Sequence, residues 1–241
     1  MGTQAVRVTA GHKRFGTGTA LQDIDLSIDD GEFLAVLGRS GSGKSTLLRV
    51  LAGLEQLTTG SVEWVGDGNR PRTGVVFQQA LLMPWLTVAA NVGFAKRFSA
   101  HRDGFDQAYA DQLMERFGLA GLVDRYPDQL SGGQAQRVAI LRAAATQPRL
   151  LLLDEPFSAL DPATRADLRG WLADLVKQLS VTVVLVTHDV DEALELADRI
   201  VLLGQDGHIG TQWVVDRDVA GSGQLRSDIL GHYRLVGSES L

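Results

Sequence analysis

Short runs of β-branched and aliphatic residues at Ala5–Thr9, Ile24–Ile28 and Phe33–Leu37, then at Val62–Val65 and Val75–Phe77, predict strands. The chain therefore begins as sheet. Over Ser45–Leu54 the period changes, with Leu47, Leu48, Leu51 and Leu54 at helical spacing and Gly53 marking the helix end. From Thr87 to Thr146 the pattern is helical, most strongly at Asp106–Phe117 and Gly132–Ala145. Strand signal returns at Leu150–Leu153, Val181–Val186 and Ile200–Leu203, separated by helical stretches at Pro162–Leu179 and Val190–Ala197. Continuous apolar strands alternating with helices indicate a buried, largely parallel sheet. Beyond Gln205 the signal weakens to a strand at Ile209–Val215 and a polar tail from Gly221.

Composition narrows the field. The 241 residues suffice for one large domain or two small ones with a sizeable core. A net charge of −6 supplies no global positive field for a nucleic-acid backbone, so a nucleic-acid partner is not expected. The absence of cysteine excludes a disulfide framework and thiolate metal sites. His12, His101, His188, His208 and His232 are too scattered to suggest a metal cluster. Met1–Gly11 lacks the apolar core of a signal peptide, and runs such as Leu150–Leu153 are far too short to span a bilayer. Membrane association is expected only through a partner.

Chemistry first shows in Gly38, Arg39, Ser40, Gly41, Ser42, Gly43, Lys44 and Ser45, followed by Thr46, which fit G-x-x-x-x-G-K-[ST] between a strand and a helix. Glycines permit a turn whose amides converge on phosphate oxygens, and the next helix adds its positive N-terminal end. In this arrangement Lys44 reaches the terminal phosphates and the Ser45 hydroxyl binds Mg²⁺.

A second element is Leu150–Leu153 followed by Asp154 and Glu155. Acids at the C-terminal edge of a parallel sheet face the ligand crevice, Asp154 placed to hold Mg²⁺ through water and Glu155 to orient or deprotonate attacking water. The same pair also suits a turn or helix cap. A third element, Ser131, Gly132, Gly133 and Gln134, opens a helix with a hydroxyl and free amides, a second anion-binding device. Two cradles in one chain are economically explained if each holds one side of the same nucleotide, the second being supplied by another subunit.

In this order the motifs resemble the ATP-binding cassette family, the nucleotide-binding subunits of ABC transporters, over roughly residues 5–205. The resemblance implies an α/β P-loop NTPase cassette with a mixed or parallel sheet core, an N-terminal antiparallel β subdomain and an inserted α-helical subdomain at about 87–146. Residues 206–241 would be a short C-terminal tail without a regulatory domain. It also implies a head-to-tail dimer holding two ATP molecules with Mg²⁺ between the Gly38 loop of one copy and the Ser131 signature of the other. Gln78, in Gly74-Val-Val-Phe-Gln78, matches the glutamine that senses Mg²⁺ and the γ-phosphate, and His188 matches the switch histidine that contacts the γ-phosphate. Ser158-Ala-Leu-Asp161 matches the segment crossing the dimer interface, although it also reads as an N-cap before Pro162. Phe15 matches the aromatic that stacks on adenine, or is a core residue of the opening sheet. Ala135 and Leu141-Arg-Ala-Ala depart from the family pattern outside the phosphate contacts.

A cassette without membrane helices or a long coiled coil fits a bacterial importer subunit paired with a separate transmembrane permease and, through it, a solute-binding protein. That places it on the cytoplasmic face of the inner (plasma) membrane. Gln79–Asn91 is densely apolar, either a groove in which Leu82, Met83 and Trp85 receive the permease or part of the helical insert's core. Its Leu82-Met-Pro-Trp85 resembles the subgroup importing nitrate, taurine and aliphatic sulfonates. The alternative is a non-transport ATPase acting as a soluble mechanoenzyme or scaffold.

Overall fold

The computed structural model describes residues 4–66, 68–98, 104–216 and 223–235. His101, and the parts of the expected helical stretch and polar tail at 99–103, 217–222 and 236–241, lie outside these residues. In chain order the elements are β1 (Gln4–Phe15), β2 (Gly18–Asp29), β3 (Phe33–Leu37), α1 (Lys44–Leu51), β4 (Thr59–Trp64), β5 (Thr73–Val76), α2 (Val88–Val92), α3 (Gln107–Arg116), α4 (Gly132–Ala144), β6 (Leu150–Asp154), α5 (Pro162–Leu179), β7 (Thr182–Thr187), α6 (Val190–Leu196), β8 (Arg199–Leu203), β9 (Ile209–Val214) and α7 (Gly223–Leu235). They fall into two compact units, Met1–Pro71 with Val181–Leu241, and Arg72–Ser180.

The first unit holds an antiparallel sheet in the order β2-β1-β4. Buried Val6, Val8, Ile24, Leu26 and Ile28 alternate with polar neighbours, the period-two pattern of a half-buried strand. The hairpin continues well past the expected Ala5–Thr9 and Ile24–Ile28, to Phe15 and back from Gly18. Positive φ at Ala10 (44°) and Asp23 (51°), with register shifts beside them, breaks the alternation and hides the pairing from a periodicity reading.

The same unit contains strands in the order β7-β3-β8-β9. β3 lies in parallel between β7 and β8, and β9 runs antiparallel to β8. All residues of β3 and β7 are buried, because a strand covered on both faces has no polar side to alternate with. The Arg199 guanidinium joins both Glu32 carboxylate oxygens (2.7 and 3.1 Å), and the Asp198 carboxylate accepts from Phe33 N–H, locking the entry of β3 to that of β8.

Residues 223–235, polar in sequence, form α7. Its apolar signal is weak because polar contacts do much of the anchoring. Ile229 is fully buried, while Trp213 Nε1 donates to Asp228 (2.7 Å) and Arg226 grips both carboxylate oxygens of Asp191 on α6 (2.7 and 3.1 Å).

The second unit pairs β5 and β6 in parallel, from Thr73 opposite Leu150 to Val76 opposite Leu153. α4 packs on α2 and β5 through buried Val138, Ile140 and Leu141, and Ala110, Leu113 and Met114 supply the buried face of α3. Trp171 of α5 donates its Nε1–H to the Phe117 carbonyl (3.0 Å) and meets the Phe117 ring edge-on. The antiparallel sheet, the mixed sheet and the helices agree with the fold class expected from sequence.

Candidate functional site

In the first unit, buried β3 ends at Leu37 and the chain reaches α1 through the Gly38–Gly43 loop. Gly43 is the N-cap of α1 at φ 98°, and a Cβ there would lie 2.1 Å from the Ala20 carbonyl, so only glycine fits. A glycine cap brings no side chain to the first amides of α1, leaving that helix end suited to an anion. Arg39, Ser40 and Gly41 form the exposed crest of the loop, and Ser45 and Thr46 stand half-buried in the first helical turn.

Lys44 is buried, and its ammonium donates to the carbonyls of Gly38 (2.8 Å) and Arg39 (2.9 Å). Ser42 is also buried, at 1% exposure, and its hydroxyl lacks a hydrogen-bond partner among the described residues. A buried hydroxyl without a partner, beside a helix end with no side-chain cap, leaves the loop with donors suited to an anion.

His188 follows β7 directly. Leu37 and Thr187 are register partners, so the Gly38 loop and His188 leave adjacent parallel strands at the same edge. The Asp189 carboxylate caps α6 by accepting from Asp191 and Glu192 N–H, and Asp189 N–H donates to Thr187 Oγ1. These bonds fix the backbone on either side of the exposed His188.

Phe15 is 49% exposed at the end of β1, with Lys13 Nζ 4.7 Å from its ring centroid. It is not a core residue.

In the second unit, β5 and β6 end in register, so Gln78 and Glu155 emerge side by side from one strand edge. Gln78 Nε2 donates to Ser158 Oγ (3.0 Å), and that hydroxyl donates to the Glu155 carbonyl (3.0 Å). Glu155 has φ 46°, a left-handed conformation that costs a non-glycine residue roughly 1 kcal/mol or more. Asp154 closes β6 and is 9% exposed.

Asp161 caps α5, its carboxylate accepting from Ala163 N–H (3.2 Å) and Thr164 N–H (3.1 Å). Hydrogen bonds from the Thr164 hydroxyl and amide hold this carboxyl below the usual range. Ser131 caps α4 in a reciprocal box, its Oγ accepting from Gln134 N–H while Gln134 Oε1 accepts from Ser131 N–H. Gly133 lies so close to Thr164 that a Cβ would sit 2.5 Å from its methyl group. The second unit thus gathers Gln78, Glu155, Ser158, Asp161 and the Ser131–Gln134 cap into neighbouring positions. The first unit gathers the Gly38 loop and His188.

Three structural supports of this region escaped the motif reading. Gln136, buried in α4, donates to the Phe77 carbonyl at the long distance of 3.4 Å. Arg142 donates to the carbonyls of Leu81 (2.8 Å) and Ala80 (3.0 Å), and burial lowers its pKa. Noted in sequence only as a departure, Arg142 holds the segment after Gln78. Asn91, fully buried, accepts from Met83 N–H (2.8 Å) and donates to the carbonyls of Met83, Leu86 and Thr87. A buried amide inside an apolar run was the available signal. In the loop it ties down, Leu86 is buried, Leu82 and Met83 are half-buried, and Trp85 is 67% exposed.

Residues 21–158 match the family described as ABC transporter. The chain is 49% identical over 199 residues to "Aliphatic sulfonates import ATP-binding protein SsuB 1" of Pseudomonas savastanoi pv. phaseolicola, covering 83% of this chain and 80% of that protein. It is 48% identical over 204 residues to "Sulfate/thiosulfate import ATP-binding protein CysA" of Synechococcus elongatus, covering 82% of this chain but only 59% of that longer protein. Among solved structures, it resembles the "Dimeric structure of a post-hydrolysis state of the ATP-binding cassette MJ0796 bound to ADP and Pi" with a TM-score of 0.72 and 33% identity, over 88% of this chain and 99% of that one.

Two outcomes follow from the second unit. Asn91→Ala removes partners from the Met83–Thr87 loop and is expected to destabilise the chain by roughly 1–3 kcal/mol, with faster amide exchange at Met83; an unchanged exchange rate there would refute Asn91 as the loop's anchor. Because the folded Asp161 value is lowered, its capping contribution is present above the ordinary carboxyl range and is lost as pH falls through the lowered folded value. Thr164→Val should move the Asp161 titration upward, as read by carboxyl NMR, and an unmoved titration excludes the hydroxyl as the main cause.

Proposed function

The chain belongs to the ABC transporter family, and we propose on that basis that it is the ATP-hydrolysing subunit of an importer for a small sulfur oxyanion, a sulfonate or sulfate. It binds and hydrolyses ATP as members of that family do. The observation that carries the importer assignment is the 49% identity, over most of both chains, to an import subunit for aliphatic sulfonates. Likeness to a sulfate and thiosulfate import subunit points to the same anion chemistry. Both relatives are import subunits, which favours transport over a soluble mechanoenzyme or scaffold.

The ATP-binding domain spans about residues 5–205, with its helical insert at about 87–146. The residues divide the work by their chemistry. Lys44 leaves its two backbone carbonyls to hold the terminal phosphates, and the amides from Gly41 to Thr46 cradle them. Phe15, exposed and braced by Lys13, offers a ring face to adenine. Ser45, Gln78 and Asp154 are oxygen donors of the kind Mg²⁺ takes. When bound, Mg²⁺ neutralises charge on the transferring phosphoryl group. Glu155 accepts a hydrogen bond from the attacking water and orients it, with its backbone set by Ser158. His188 donates to the γ-phosphate.

Ser131 and Gly132 are exposed at the amide end of α4, and Asp161 is exposed at the start of α5. Both surfaces are open to a second copy arranged head to tail, with Ser131, Gly132, Gly133 and Gln134 completing the other copy's nucleotide site. Among the described residues no helix is long and apolar enough to cross a membrane. Membrane attachment at the cytoplasmic face comes through a separate permease received by exposed Trp85 with Leu82 and Met83, and a solute-binding protein delivers the anion to that permease.

Glu155→Gln is expected to abolish steady-state turnover, keep ATP binding and stabilise the ATP-bound dimer; undiminished ATPase removes Glu155 from its role. Ser131→Ala should weaken dimerisation and hydrolysis more than nucleotide binding by the monomer. The importer assignment is tested by isolating the native complex from membranes and measuring uptake of alkanesulfonate and sulfate by the reconstituted assembly. A complex without a membrane subunit, or uptake of neither anion, overturns it.

A further inference from the structure

α7 carries a feature outside the family motifs. Arg226, Ile229 and Tyr233 are spaced three and four residues apart, so they share one helix face. Ile229 is fully buried, Arg226 is paired with Asp191 on α6, and the Tyr233 hydroxyl reaches the Gly38 carbonyl at 3.4 Å. Gly38 O thus has two donors, Lys44 Nζ at 2.8 Å and Tyr233 Oη at 3.4 Å. A carbonyl oxygen has two lone pairs, and the charged donor holds the short bond while the phenol holds a long one.

The arrangement matters when Lys44 turns towards phosphate. Its departure strips a hydrogen bond from both Gly38 O and Arg39 O. Arg39 is exposed, so water replaces the lost donor there, whereas Gly38 is buried. We infer that Tyr233 is a positioning residue for nucleotide binding: its hydroxyl takes over the Gly38 carbonyl as Lys44 leaves, so that the phosphate loop is not left with an unsatisfied buried acceptor. The α6 contacts keep the phenol in reach by clamping α7 through Arg226, and Trp213 holds the same helix through Asp228. The inference rests on the reading that Lys44 serves the nucleotide phosphates.

Tyr233→Phe in the full chain removes only the hydroxyl. ATP affinity, measured by titration calorimetry, is expected to fall about 3- to 10-fold, with KM rising in step, kcat nearly unchanged and the nucleotide-free melting temperature unchanged. Affinity equal to wild type overturns the inference, as does a loss of kcat with constant KM. So does a fall in nucleotide-free stability that accounts for the weaker binding, since that marks a purely structural tyrosine. Should the variant fail to fold, the wild type supplies the test: saturating ATP should slow amide exchange in α7 as well as in the phosphate loop. Protection of the loop with none in α7 refutes the takeover. A wild-type chain that binds no ATP removes the underlying reading and this inference with it, whereas wild-type binding with an unaffected Tyr233→Phe chain overturns the inference alone.

Discussion

The turn from β3 into α1 is the constraint on which the Gly38–Gly43 loop depends. β3 is buried at every position between two parallel neighbours, and the chain must reverse from that strand into a helix within a few residues. The reversal brings Gly43 against the Ala20 carbonyl in a left-handed conformation that a side chain could not enter. With glycine as N-cap, α1 starts without a capping oxygen, and the amide end stays available to an external anion. Lys44, the first residue of the helix, is thereby placed to fold back onto the loop it leaves. A helix capped by a serine or aspartate side chain would be locally more stable by roughly a few tenths of a kcal/mol and chemically less useful.

Elsewhere side chains, not glycines, set the backbone. Ser158 ties Gln78 to the Glu155 carbonyl, and Glu155 sits at a positive φ that its surroundings must sustain. Gln136 and Arg142 of α4 hold the carbonyls of Phe77, Ala80 and Leu81 on either side of Gln78 and after it. The helix that Ser131 caps is therefore the helix that grips the Gln78 segment.

The local elements that carry the candidate site were legible from sequence because they are contiguous. The strand, loop and helix around Gly38–Ser45 are contiguous, as are β6 with Asp154 and Glu155, and Ser131 with the start of α4. Composition and period identified each within a few residues. Legibility ended where partners are far apart in sequence or polar. The β1–β2 hairpin runs longer than its period signal because Ala10 and Asp23 interrupt the alternation, and α7 shows little hydrophobic rhythm because it is held by one buried isoleucine and several polar contacts. Arg142 looked like a variation without consequence, since its carbonyl partners lie some sixty positions away.

The sequence by itself determined the fold class and located the Gly38–Ser45 loop, the Asp154–Glu155 pair and the Ser131–Gln134 cap, because strand and helix periods and short motifs are properties of neighbouring positions. Only the tertiary structure decided that Phe15 is exposed, that Asn91 organises the loop bearing Trp85, and that Tyr233 meets Gly38. Exposure is set by what packs beside a residue, Tyr233 reaches Gly38 across 195 positions, and the Asn91 bonds to Met83, Leu86 and Thr87 form only once the loop folds around its amide, so none of them leaves a periodic trace in the chain.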